Sequence, residues 1–446
     1  MSRLFGTNGI RWLVESQNID YAIRLGIAAG YFFGTRKQVA IGMDTRTTSP
    51  MILNAIVSGA ASAGCGTVML GVTPTPVVQY AVREMHLDGG LMVTASHNPP
   101  EFNGVKFFSS DGTEFSKSQE LSFERIFAGK PERAPWDSLG SATAENVVQQ
   151  KYRDSVLSHV GGGNRATAIV DCANGAAIGY SPEILAAAGG NVITLNSHPD
   201  GRFPGRMPEP LEENVGALMS AVKAHGADIG IAHDGDADRA TFTDENGNYI
   251  SGDMSLAILA MDAVERAGKG VVVTPINTSK VVKDVVESRG GKMDFTAIGS
   301  PIIARRMMEN RAILGGEGNG GVIFPEHQYC RDGMMAAARM LSIAHRRGPL
   351  SSIIAELPRY YIKNHKIHIT PGTEGKILEI VKKNADGKIT DIDGIKSTAF
   401  DHWSLVRASG TEPLIRITVE SDDENLSARI MAEKVKAVGD IIKSLS

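Results

Sequence analysis

Three aspartates at alternate positions stand out first, in the run His233-Asp234-Gly235-Asp236-Ala237-Asp238-Arg239 that directly follows the apolar stretch DIGIAH. Carboxylates this close repel one another unless a cation neutralises them, and their hard oxygens suit a divalent ion such as Mg²⁺. A solvated acidic turn is the plain alternative. An EF-hand is excluded, because Arg239 stands where that loop needs its glycine and a strand, not a helix, leads in. A second loop, Thr94-Ala95-Ser96-His97-Asn98-Pro99-Pro100 running on to Lys106, presents Ser96 after another apolar run. Its double proline forbids a helix there. With no Gly-x-Ser-x-Gly elbow in the loop, a serine hydrolase is disfavoured, and a turn serine beside a structural histidine is the alternative. The third loop, Gly315-Gly316-Glu317-Gly318-Asn319-Gly320-Gly321, formally contains G-x-G-x-x-G but leads into VIFP rather than a helix, so a dinucleotide site is rejected. Glu317 and Asn319 offer a carboxylate and an amide to hydroxyl groups, as in sugar recognition. A fourth, Arg407-Ala408-Ser409-Gly410-Thr411-Glu412-Pro413 with Arg416 beyond, combines guanidinium, hydroxyl and open backbone donors suited to a phosphate dianion. Each of the last two also reads as an ordinary turn when taken alone. Together the four loops fit phosphoryl transfer to or from a phosphorylated polyol.

These loops need a frame. The first two thirds of the chain alternate short β-branched runs (38–43, 67–72, 90–96, 167–172, 191–196, 228–233, 270–275 and 294–299) with apolar-periodic segments of helical length, several ending in glycine. That alternation predicts α/β layers with largely parallel sheets. Polar composition from Gly129 to Glu145, the Asn-Gly hairpin signal before Gly252 and a change of pattern near 360–366 divide the chain into units 1–145, 146–252, 253–362 and 363–446. The last unit reads as a small α+β sandwich. With 46 Lys+Arg against 50 Asp+Glu, the net charge of −4 excludes a polybasic nucleic-acid surface. No apolar run is long enough to span a membrane, and the opening residues do not form a signal peptide. Three well-separated cysteines, Cys65, Cys172 and Cys330, suit a reducing cytoplasm.

The sequence resembles the α-D-phosphohexomutases, the superfamily of phosphoglucomutases, phosphomannomutases and phosphoglucosamine mutases. The likeness rests on FGTNGIRW, TASHNPPEFNGVKFF, HDGDADRA, GGEGNGG and RASGTEPLIR, in the family's order over essentially the whole length. It implies three related α/β domains and a C-terminal domain of TATA-binding-protein-like fold around a central cleft. By the same resemblance Ser96 is the phosphoserine, flanked by His97 and Lys106, and Arg11 and Arg239 line the site. Asp234, Asp236 and Asp238 hold one Mg²⁺ per chain together with the phosphate on Ser96. Glu317 and Asn319 read the sugar, while Arg407, Ser409, Gly410, Thr411 and Arg416 grip the non-reacting phosphate. A hexose 1,6-bisphosphate is implied as intermediate and activator, with a sugar phosphate as partner and a monomer or homodimer as the assembly. One departure stands out. Many bacterial members end the sugar loop in a histidine with an acid/base role, and here Gly321 occupies that position. Ala408 leans toward glucosamine phosphates, with a bifunctional phosphomannomutase/phosphoglucomutase as the alternative. A metal-dependent sugar phosphatase and a non-catalytic sugar-phosphate binding protein are the readings from other classes.

Overall fold

The computed structural model describes residues 4–6, 8–129, 131–410 and 412–445. All eight runs expected as strands are strands, with ends shifted by a few residues. They form three sheets built on one plan. In the first, Gly66–Val72, Gln38–Met43 and Gly89–Val93 lie side by side in parallel, and Phe102–Ser109 pairs antiparallel with the last of them. The second sheet repeats this with Asn191–Leu195, Thr167–Asp171 and Ile229–His233 in parallel and Ala240–Thr243 returning antiparallel. The third does so again with Lys292–Thr296, Val271–Pro275 and Leu314–Gly316, closed by Val322–Ile323. Edge strands complete the first two: Ile10–Leu13 and Ala142–Ala144 flank the first, and Tyr249–Ile250 forms the expected hairpin with Ala240–Thr243 in the second. The C-terminal unit is a separate antiparallel sheet of five strands, covered by helices Glu374–Lys383 and Glu424–Leu445.

The helices follow their apolar spacing. Lys280–Ser288 buries Val281, Val282, Val285 and Val286, one stripe of a 3.6-residue repeat, against the third sheet. Gly226 and Gly268 take the left-handed conformation at helix ends, as the glycine caps predict. Helix Gly333–Arg347, absent from the sequence reading, is buried almost all round from Gly333 to Ala344 and joins the cores of the second and third units. Its cap, Asp332, also accepts a bond from Tyr152 Oη at 2.6 Å and one from Gln328 Nε2 at 2.9 Å. No helix among the described residues is long and apolar enough to cross a membrane. The three cysteines are free and buried.

Candidate active site

In each of the three related sheets, the connection from the third parallel strand to the antiparallel fourth carries one of the candidate loops. Ser96 lies between Gly89–Val93 and Phe102–Ser109, the aspartates between Ile229–His233 and Ala240–Thr243, and Glu317 between Leu314–Gly316 and Val322–Ile323. These are the carboxyl ends of parallel strands, where open α/β sheets bind ligands.

The strand expected to run to Ser96 stops at Val93 because the loop satisfies itself: Thr94 Oγ1 accepts the Ser96 N–H at 2.8 Å. Ser96 has φ +52°, a left-handed conformation uncommon outside glycine, so surrounding contacts must hold it. Arg46 does so. Fully buried, it donates to the carbonyls of Ser96 (2.9 Å), Asn98 (2.6 Å), Pro99 (2.6 Å) and Phe102 (2.9 Å), and is itself fixed by Asp44 at 3.0 Å. Thus oriented, Ser96 Oγ donates to Asp234 Oδ2 at 2.9 Å and lies 3.3 Å from His97 Nδ1. Arg11 reaches the same loop, donating to Asn98 Oδ1 at 2.6 Å.

Asp234, Asp236 and Asp238 are buried, and each offers an oxygen within 4.8 Å of the others. Gly235 between the first two lets the loops touch, since a Cβ there would stand 2.5 Å from the Ser96 carbonyl oxygen. Lys106 bridges Asp236 (2.6 Å) and Asp238 (2.7 Å), Arg239 Nε meets Asp234 at 3.1 Å, and Arg331 meets Asp238 at 2.6 Å. Asp236 Oδ1 and Asp238 Oδ1 are nonetheless buried without a hydrogen-bond partner. Buried charged oxygens need compensation, and an all-oxygen set with open lone pairs fits a hard divalent cation. Burial pushes the Asp234 carboxyl up to about 7, Arg239 opposing and the neighbouring aspartates adding to the rise. Burial works against charge on Asp236 and Asp238 as well, but Lys106, joined by Arg331 at Asp238, holds both below the usual carboxylate range. Burial, then Arg239 and Arg11, push His97 down to about 3, so it is neutral at pH 7. Lys106 keeps its proton: the two aspartates outweigh its burial.

Ser96, His97, Arg11, Arg239, Glu317, Asn319, Gly410 and Arg416 face one cleft of about 910 Å³, with the aspartates and Lys106 buried beneath its floor. Glu317 is buried and burial raises its pKa, whereas Asn319 is exposed. Arg407 and Ser409 line an adjoining cavity of about 310 Å³ instead, shared with Gly410 and Arg416, and Arg407 Nε pairs with Asp393 at 2.9 Å. Thr411 lies outside the described residues. Sequence reasoning missed Arg46, Glu114 and Arg331. Arg46 carried a usable signal, since Asp44-Thr45-Arg46 sits at the carboxyl end of a parallel strand.

Four family models match the chain in order: alpha/beta/alpha domains I, II and III of phosphoglucomutase/phosphomannomutase over residues 2–134, 150–247 and 251–361, and its C-terminal domain over 370–437. A phosphoglucomutase/phosphomannomutase of Thermococcus kodakarensis is 38% identical, covering 99% of this chain and 100% of that protein. A probable phosphoglucosamine mutase of Methanopyrus kandleri is 39% identical, with 98% of each chain covered. Among solved structures, a phosphoglucomutase/phosphomannomutase family protein from Burkholderia thailandensis superimposes with a TM-score of 0.89 at 26% identity, covering 98% of this chain and 97% of that one.

Proposed function

The chain belongs to the phosphoglucomutase/phosphomannomutase family, and from that premise we propose that it moves a phosphoryl group between O6 and O1 of a hexose phosphate by way of phospho-Ser96. The observation that carries this reading is the 2.9 Å contact of Ser96 Oγ with Asp234 at the cleft floor, beside two unsatisfied carboxylate oxygens. Asp234, Asp236 and Asp238, with the phosphate on Ser96, would hold Mg²⁺, which when bound offsets negative charge on the transferring group. The units 1–145, 146–252, 253–362 and 363–446 would each contribute one loop.

In the forward half-reaction the P–O bond to Ser96 Oγ breaks and a bond forms to the free sugar hydroxyl, giving a hexose 1,6-bisphosphate. The sugar then turns over, and its other phosphoryl group returns to Ser96. Arg239 and Lys106 balance charge at the reacting end. Glu317 and Asn319 hold sugar hydroxyls, and Arg407, Ser409, Gly410, Thr411 and Arg416 take whichever phosphate is not reacting. Two side chains are candidates to exchange the hydroxyl proton: His97, neutral and in contact with Ser96, as acceptor, and the protonated Lys106, which bridges Asp236 and Asp238, as donor on the return transfer. The pH–rate profiles of His97→Gln and Lys106→Met separate them, since only loss of the acting group removes a limb.

Glucosamine phosphate is the first-ranked substrate, supported by Ala408 and by relatives named probable phosphoglucosamine mutase. The Thermococcus relative's name favours glucose and mannose phosphates as the second reading. Rates on all three sugars with the bisphosphate present rank them. Ser96→Ala should abolish interconversion and remove a phosphoryl mass increment from the peptide holding residue 96. An active Ser96→Ala protein would refute the proposal.

A further inference from the structure

Gly321 is the last residue of the sugar loop, and a Cβ built on it would stand 2.4 Å from Arg331 Cδ and 3.2 Å from its Cγ. The arginine therefore runs through the space that any larger residue at 321 would fill. Its backbone is fixed on the far side of the hairpin, bridged to Ile323, while Asp332 N–H donates to the Val322 carbonyl at 2.9 Å. From there the guanidinium reaches three carboxylates on different sheets or their loops: Asp238 at 2.6 Å, Glu317 at 3.5 Å and Glu114 at 3.7 Å. Among the described residues, Arg331 is the cation within ion-pair distance of Glu317, and both face the cleft.

We propose that Arg331, threaded past Gly321, is a positioning and specificity-determining residue that sets Glu317 relative to the aspartate loop. The inference rests on the phosphohexomutase reading and deepens it. A buried carboxylate without a paired cation takes up a proton and then no longer accepts two hydrogen bonds. A guanidinium whose two terminal nitrogens meet different carboxylates, Nη1 at Glu317 and Nη2 at Asp238, opposes that uptake and ties the two together, which the single nitrogen of an ammonium does not do. Because the same fork holds Asp238, a sugar hydroxyl bound to Glu317 is set at a fixed distance from the phosphoryl centre. The absent side chain at 321 is thus part of the device.

The test uses full-length Gly321→Ala, Arg331→Lys, Arg331→Ala and the Gly321→Ala/Arg331→Ala double variant, each checked for an unchanged melting transition. kcat and KM are measured on a hexose phosphate and on its monodeoxy analogues. For the unaltered protein, removing the hydroxyl read by Glu317 should lower kcat/KM by about 10- to 100-fold, the worth of a hydrogen bond to a charged group. That discrimination should shrink to about 3-fold or less in Gly321→Ala, Arg331→Lys and Arg331→Ala, as in a Glu317→Ala control. Gly321→Ala should cost at least ~10-fold alone but no more than ~2-fold once Arg331 is alanine, the non-additivity of two residues acting through one contact. Additive effects, or deoxy discrimination unchanged in folded Arg331→Lys and Gly321→Ala, would overturn the inference. If the unaltered protein interconverts no hexose phosphate, the parent reading fails instead, and the two failures are distinct.

Discussion

Replacing Gly235 by alanine moves the two central loops apart with one carbon atom. Its Cβ would stand 2.5 Å from the Ser96 carbonyl oxygen, whereas ordinary contact begins at 3.4 Å. The loops must therefore separate by about 0.9 Å, a displacement that can cost on the order of 100-fold in a reaction needing aligned groups. The metal loop cannot simply retreat. Its Gly235 carbonyl accepts the Ala176 N–H at 2.9 Å, and a Cβ on Gly175 would already stand 2.6 Å from that carbonyl. The serine loop is held as firmly by Arg46, so the strain falls on the Ser96–Asp234 contact. Overpacking of this kind costs roughly 1–3 kcal/mol, which leaves the protein folded. The expected result is kcat lowered by about 100-fold with a melting temperature only a few degrees lower. Steady-state rates with excess bisphosphate and a calorimetric scan measure both. A folded Gly235→Ala protein with kcat within about 3-fold of the original would refute the argument that loop contact sets the phosphoryl geometry.

Three further outcomes follow from the same structure. Asp236→Asn removes one of the three converging carboxylates and should raise the half-activating Mg²⁺ concentration at least ~10-fold, the lower bound seen even for outer-shell partners; an unchanged Mg²⁺ titration contradicts the ligand assignment. Arg46→Lys leaves several of the four loop carbonyls unsatisfied and Asp44 poorly paired, so unfolding should cost about 3–5 kcal/mol less and kcat should fall, both visible in denaturant melts and rates. His233 is buried with Nδ1 3.1 Å from the Arg239 carbonyl and Nε2 2.8 Å from Ser181 Oγ, a neutral arrangement in which Nδ1–H donates and Nε2 accepts. Burial pushes its pKa down to about 4. The unfolded chain then binds this proton at higher pH than the folded one, so stability is full above ~6.5 and declines as pH falls toward 4, by about 3 kcal/mol. His233→Gln should flatten that decline in pH-dependent urea melts, and parallel curves for the two proteins would refute it.

The parallel strands were legible because most are short β-branched runs bounded by turns, and the central ones are buried on both faces. The loops were legible because each concentrates unusual side chains over a few residues. What escaped depends on partners distant in sequence. Strand Phe102–Ser109 starts within the motif that presents Ser96, and nothing local shows that Lys106 points from it into a cluster made by residues 236 and 238. Arg331 resembles any surface arginine before a helix cap until the hairpin 314–323 folds against it. Helix Gly333–Arg347 is buried from Gly333 to Ala344, Arg339 and Ser342 included, so its placement depends on what packs around it rather than on one apolar face.

Three sheets of one plan each deliver a single turn from the same connection, so the chemistry is divided among parts that can be rewritten separately. On the proposed reading, a change confined to residues 317–321 would alter which carbohydrate is held while leaving the strands that carry Ser96 and the aspartates as they are. New substrate preference in such a protein can arise by exchanging one cassette, provided that the arginine threaded behind it keeps its passage.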